Sequence, residues 1–201
     1  MAGSGFIVSG GESSEVLIPD THNLLDHTSA PLNLLDEPTH DLLSHAGLPG
    51  VGKVLQLVSF MSSAVDNTTT VIPLDDTIPA NTEGKEFMSL SITPTLATSS
   101  LLIMVKMMLS DITQGTTVIG ALFKDSEVLA QAVGATENLP DNQPCEVNIF
   151  HVVSASGIVA ETWKARGGIS DAGTCTFNGD STFRFFGTAI KSSMIIAEIG
   201  V

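Results

Sequence analysis

The chain has no tyrosine, one tryptophan and nine phenylalanines, so aromatic residues make up only 5% of its 201 positions. Phenylalanine lacks a polar handle and ordinarily sits in a core or an apolar interface. Few rings of the kind that line sugar shelves are therefore on offer. Lysine and arginine total eight against 22 aspartates and glutamates, a net charge of −14. That sign excludes a nonspecific grip on phosphate backbones as a main function, and anionic lipid with it, so nucleic acid is not an expected partner. Charged residues of both signs reach 15%, well under the roughly 25% of an ordinary soluble domain. Cysteine is scarce too. Cys145 and Cys175 lie far apart, form no CxxC pair and read as two free, buried thiols. The longest apolar run, residues 101–109, is interrupted by Lys106 and falls far short of the ~18 residues of a membrane span. The N-terminus has no basic stretch followed by an apolar one, so neither a signal peptide nor membrane insertion is expected, and the reading is a soluble protein made in a cytoplasm.

Serine and threonine together supply 41 residues, and glycine 18. Such a surface is polar without being charged, unless part of it is covered. The length suits one domain and a tail.

The sharpest internal boundary lies near Gly50. Residues 1–50 hold no Lys or Arg, yet carry Glu12, Glu15, Asp20, Asp26, Asp36, Glu37 and Asp41, half of the net charge. The segment opens rich in Gly and Ser, then gives three leucine pairs: Leu24 with Leu25, Leu34 with Leu35, and Leu42 with Leu43. Pro31 and Pro38 prevent one long helix, because each removes a backbone donor and clashes with the preceding turn. Short helical turns remain open, with Thr39 a suitable N-cap and Gly47 a stop. Two turns do not hold in water alone, so the leucines need a partner surface. Residues 1–50 read as an extended docking arm, and 51–201 as the head domain.

After Gly52 the texture is that of a β protein. Residues 87–93 alternate strictly, placing Met88, Leu90 and Ile92 on one face against serines on the other. Further strands are expected at 53–60, 68–72, 101–109, 117–124, 128–133, 146–153, 160–165, 174–177, 183–186 and 194–199. Turn chemistry separates them at Asn81 to Gly84, Gln114-Gly115, Leu139 to Asn142, Arg166 to Gly168 and Asn178-Gly179, the last being the strongest hairpin signal. About ten short strands without a long helix predict an all-β fold, an antiparallel β-sandwich of jelly-roll type, with other sandwich topologies open at this level.

Catalytic constellations are thin. The glycines before Lys53 follow a proline, with no preceding strand and no Ser or Thr after the lysine, so they make no phosphate loop. No serine sits in a G-x-S-x-G elbow. His151 falls on the face opposite Phe150 and Val152 and reads as a structural histidine at a surface or subunit contact. The pairs His22/His27 and His40/His45 have i,i+5 spacing, which separates the rings by ~140° on a helix and puts them on opposite faces of a strand. No metal or other cofactor is expected. Asp75-Asp76 has no loop of spaced oxygen ligands around it and reads as a solvated turn rather than a calcium site. A polysaccharide-degrading enzyme would need two carboxylates about 5–10 Å apart across a groove, and Glu146 and Glu161 are the strand-borne candidates. The one place for a sugar ligand is Trp163, against plain packing as the alternative.

The stretch TTVIPLDDTIPANTEG at residues 69–84, followed by FMSLSITP at 87–94 and SLLI at 100–103, resembles a module of tailed-bacteriophage virion structural proteins. GALFKD at 120–125, FHVV at 150–153, TCTFNG at 174–179 and KSSMIIAEI at 191–199 are similar to the same module. HDLLSHAGLPGV at 40–51 resembles the His-rich lead-in of fibre proteins. The resemblance covers about residues 39–201, and its most specific part is TIP-N-TEG. It implies a trimeric β-rich head at the end of a fibre, spike or decoration protein, located in the virion, and it transfers no catalytic residue. The chain departs from long tail fibres in having no repetitive shaft. The expectation is therefore a non-enzymatic homotrimer, a tail fibre, spike or tip component docked through the six leucines onto tail, baseplate or capsid proteins. A capsid decoration protein and a receptor-binding module for a host surface glycan or protein are the alternatives.

Overall fold

The computed structural model describes residues 52–112, 116–138, 143–180 and 183–200. The six leucines and four histidines of the arm lie outside these residues, as do the turn signals at Gln114-Gly115 and Leu139 to Asn142. Ten strands follow in order: β1 (Val54–Ser62), β2 (Asp66–Thr68), β3 (Lys85–Ile92), β4 (Ser100–Asp111), β5 (Thr116–Lys124), β6 (Ala132–Asn138), β7 (Cys145–Ser154), β8 (Glu161–Ile169), β9 (Cys175–Phe177) and β10 (Ser192–Ile199). There is no helix among the described residues.

The strands form two antiparallel sheets. In the first, β4 pairs with β7 on one side and with β10 on the other, and β1 lies outside β10. Two short strands extend these columns: β9 pairs with the end of β4, and β2 pairs with β9. The second sheet runs β3-β8-β5-β6. Numbered among the eight long strands, the two sheets read 1-8-3-6 and 2-7-4-5, the interleaved connectivity of a jelly roll.

The period-2 alternation of each strand builds the core. Leu101, Ile103, Val105 and Met107 of β4, Val147 and Ile149 of β7, and Met194 and Ile196 of β10 point inward from the first sheet. Met88 and Ile92 of β3, Val118 and Leu122 of β5, and Trp163, Ala165 and Ile169 of β8 meet them from the second. Both thiols are outside disulfides, with Cys175 buried and Cys145 half-buried.

Several expectations need correction. Residues 166–168 are no turn; Arg166, Gly167 and Gly168 continue β8. The glycines are there because neighbours come close: a Cβ on Gly167 would sit 2.8 Å from the Phe87 ring. The strand expected at 128–133 is mostly loop, and β6 starts only at Ala132. The strand expected at 68–72 ends at Thr68. Residues 183–186 form no strand but an isolated bridge, Gly179 to Arg184, and a turn with Phe186 at φ 47°. Asn178 takes φ 59° and uses its side-chain amide to hold the carbonyls of Ser62 and Ala64, each at 2.9 Å. The Asn-Gly pair thus ties the β1–β2 junction down, while the reversal closes one step later through Asp180 N–H and Phe183 C=O.

Candidate functional site

The register of the first sheet fixes what its outer face presents. Leu57, Ala197, Leu102 and Val152 lie in one row across β1, β10, β4 and β7. Ser59, Ile195, Met104 and Phe150 form the next, and Met61, Ser193, Lys106 and Asn148 the third. Phe150 is 71% exposed, Val152 65%, Met61 63% and Leu57 58%. Charge enters only at the margin, where Lys106 meets Glu146 at 3.0 Å.

The outer face of the second sheet is equally apolar on β5 but is covered. Ile119, Ala121 and Phe123 point away from the core and pack against Ile72 and Ala130. Ile72 belongs to residues 69–84, a segment that crosses this face as a strap. Its backbone is pinned by Ile72 N–H to Ile169 C=O at 2.9 Å, Asn81 N–H to Val128 C=O at 2.8 Å and Ala130 N–H to Pro79 C=O at 2.9 Å. Arg166 clamps the strap's end, donating from Nε to Glu83 C=O and from Nη2 to Gly84 C=O, both at 2.8 Å. Gly84 has φ +57°, and a Cβ there would stand 2.6 Å from the Gly167 carbonyl, so glycine at 84 is a requirement of backbone and space. Between strap and β6 runs an apolar groove of about 390 Å³, lined among others by Leu74, Ile78 and Val133. Beside it, a polar cleft of about 340 Å³ lies over Phe123, with Asn81, Glu86, Asp125, Glu127, Lys164 and Arg166 around it.

The buried ionisable groups are tied into structure. Glu161, 1% exposed, pairs with Lys124 at 3.1 Å and accepts Ser156 N–H at 2.6 Å. Lys124 also lies 5.8 Å above the Trp163 ring, and the His151 ring lies 5.7 Å from it, tilted by 55°. Burial holds the imidazole's pKa below its ordinary value. Glu198 on β10 is fully buried and accepts from Gln56, from Thr95 through both N–H and hydroxyl, from Leu96 N–H and from Ser99. Burial pushes its pKa up, and these donors outweigh it, holding the group at about 2.

Of the residues singled out in the sequence, Trp163 is 0% exposed on the core face of β8, so its ring offers no shelf to a sugar. His151 does face away from Phe150 and Val152, but toward the sandwich interior rather than an outer surface. Glu146 and Glu161 do not share a groove. Glu146 stands exposed at the start of β7, while Glu161 is buried beside Ser156, beyond the far end of that strand; eight residues of strand span ~27 Å. Among the described residues no group of three or more metal-ligating side chains occurs, and no helix is long and apolar enough to cross a membrane. The outer face of the first sheet was not singled out in the sequence. Its trace was the run at 101–109, apolar at odd and even positions alike.

No family model matches the chain, and no curated protein matches it. Solved structures do. Eiger TNF from S. frugiperda is 10% identical over 72% of this chain and 93% of its own, with a TM-score of 0.44. The EclA C-terminal domain, a sugar-binding protein, is 17% identical over 74% and 94%, with a TM-score of 0.33. The infectious bursal disease virus VP2 subviral particle is 10% identical over 74% of this chain and 39% of that one, with a TM-score of 0.34. At such values no function passes from these proteins to this chain.

Proposed function

We propose that this chain is a non-enzymatic structural protein of a tailed-bacteriophage virion, a homotrimeric jelly-roll head in a tail fibre, spike or tip. Residues 1–50 attach it to other virion proteins. The observation that carries the structural role is the largely apolar outer face of the first sheet, with its ion pair at the margin, on a head whose buried carboxylates Asp111, Glu161, Asp180 and Glu198 are tied up in holding strands and loops together. Exposed apolar surface of that extent marks a site of association. The phage assignment rests on the resemblance at 69–84, which corresponds to the strap that seals β5, and on the lead-in at 40–51. The arm's role follows from chemistry. Three leucine pairs bury nothing without a partner, and seven carboxylates without a cation call for a basic or metal-bearing receiving surface.

A capsid decoration protein has the same chemistry at a different address on the particle. A host-receptor module is the second reading, favoured by the polar cleft over Phe123 in place of Trp163. Electron microscopy of particles labelled with antibody against this chain tests the proposal: label at fixed sites on the virion is expected, and label absent from intact particles refutes it.

A further inference from the structure

β4 and β5 are apolar on both faces. A strand that reads as a near-continuous apolar run is ordinarily one that is covered on both sides. For β5 the second cover comes from the same chain, where Ile72 and Ala130 lie over Ile119, Ala121 and Phe123. For β4 it does not. Leu102 and Met104 point outward, half-buried between Phe150, Val152 and Ile195, and neither joins a core cluster of the described residues as Ile119, Ala121 and Phe123 do.

We propose that the outer face of the β1-β10-β4-β7 sheet is covered by a second copy of this chain. The inference rests on the trimer reading above and assigns its subunit interface. Four strands at ~4.8 Å and three rows two residues apart make a patch of roughly 19 by 20 Å, close to 400 Å² in flat projection and more along the side chains. That falls within the ~300–600 Å² of the largest apolar patch on a typical monomer and is about half of the ~800 Å² that each partner gives to a stable interface. The layout is also that of an interface: an apolar centre of Leu102, Met104, Ile195 and Phe150, with Ser193, Asn148 and the Lys106–Glu146 pair at the rim. Charge favours a second copy over the chain's own arm. The arm brings seven carboxylates, and among the described residues the one cation on this face, Lys106, is already paired with Glu146.

The test uses the full chain. Sedimentation equilibrium at roughly 1–50 μM, at or above the μM-to-pM dissociation constants of standard interfaces, is expected to give three times 21.0 kDa. The double variant F150D/V152D, changed only at exposed outward positions, is expected to sediment as one chain with an unaltered far-ultraviolet circular dichroism spectrum. Radical footprinting of the unmodified protein is an independent reading that needs no variant. Phe150 and Phe186 are 71% and 77% exposed in the single chain, so Phe150 is expected to label several-fold less than Phe186. A trimer that survives F150D/V152D, or equal labelling of the two rings in a trimer, overturns this interface and leaves the trimer reading standing. An unmodified chain that stays monomeric throughout overturns both.

Discussion

Replacing Glu198 by glutamine keeps the shape of a fully buried side chain and removes its charge. The carboxylate accepts at 2.7 Å from Gln56 Nε2 and Ser99 Oγ, and at 2.8–3.0 Å from Thr95 N–H and Leu96 N–H. These contacts fasten β10 to β1 and to the loop before β4. A glutamine amide has one acceptor oxygen, so its NH₂ faces donors and at least two of them lose their partner. Each such loss costs ~1–3 kcal/mol, which makes roughly 3 kcal/mol from a stability of ~5–15 kcal/mol. The same donors hold the carboxyl at about 2 against an ordinary 4.5, so the stabilisation depends on pH. Urea unfolding at pH 7, at fixed chain concentration, reads the difference through Trp163, the only tryptophan and fully buried. At a slope of ~2 kcal/mol/M the midpoint falls by about 1.5 M. The pH dependence has a definite sign. The folded pKa is depressed, so the stabilisation is complete above the unfolded value and is lost as pH falls from about 4.5 through about 2. The gap between the two proteins is therefore constant near neutrality and closes in that acid window. A gap below 1 kcal/mol at pH 7, or one that does not narrow on acidification, refutes this account of the group.

Gly84→Ala and Gly187→Ala place the same methyl at similar φ, +57° and +61°, but only the first meets neighbouring atoms, with the Gly167 carbonyl at 2.6 Å. Thermal unfolding is expected to show ~1 kcal/mol lost for Gly187→Ala and roughly 2–4 kcal/mol for Gly84→Ala; equal losses contradict the packed strap. Changing Leu24, Leu25, Leu34, Leu35, Leu42 and Leu43 to serine is expected to leave the head folded and trimeric but absent from purified particles. Burying one leucine is worth ~1.5–3 kcal/mol, so six carry most of the anchorage, and blotting of particles at the normal level refutes the arm as anchor.

The long strands were legible because their alternation is written in large apolar residues: Met88 and Ile92 on β3, and Met194 and Ile196 on β10, fall where period 2 puts them. β6 was missed for the opposite reason. AVGATEN is small and polar, and it is a strand because β5 pairs with it through seven consecutive partners, from Thr116 with Asn138 to Leu122 with Ala132. Arg166 to Gly168 carried turn chemistry, yet the glycines answer to Phe87 and Ile72 pressing on β8, a demand of tertiary packing that local propensity does not register. Trp163 could be placed from its own strand. In ETWKARGGI it shares a face with Glu161 and Ala165, all buried, while Thr162, Lys164 and Arg166 point out. The apolar face of β4 was visible as a run without alternation, but its neighbours Phe150 and Leu57 reach it only through the register of three strands. The buried cage around Glu198 is equally nonlocal, drawing Gln56, Thr95 and Ser99 from 142, 103 and 99 residues away in sequence.

The central claim is that this chain is a built-in part of a virion. Immunogold electron microscopy of intact phage particles, with antibody raised against residues 52–200, tests it most directly. The account predicts gold at the same place on every particle, in groups consistent with three-fold heads. Particles that remain bare while the chain is detected in the surrounding lysate contradict it.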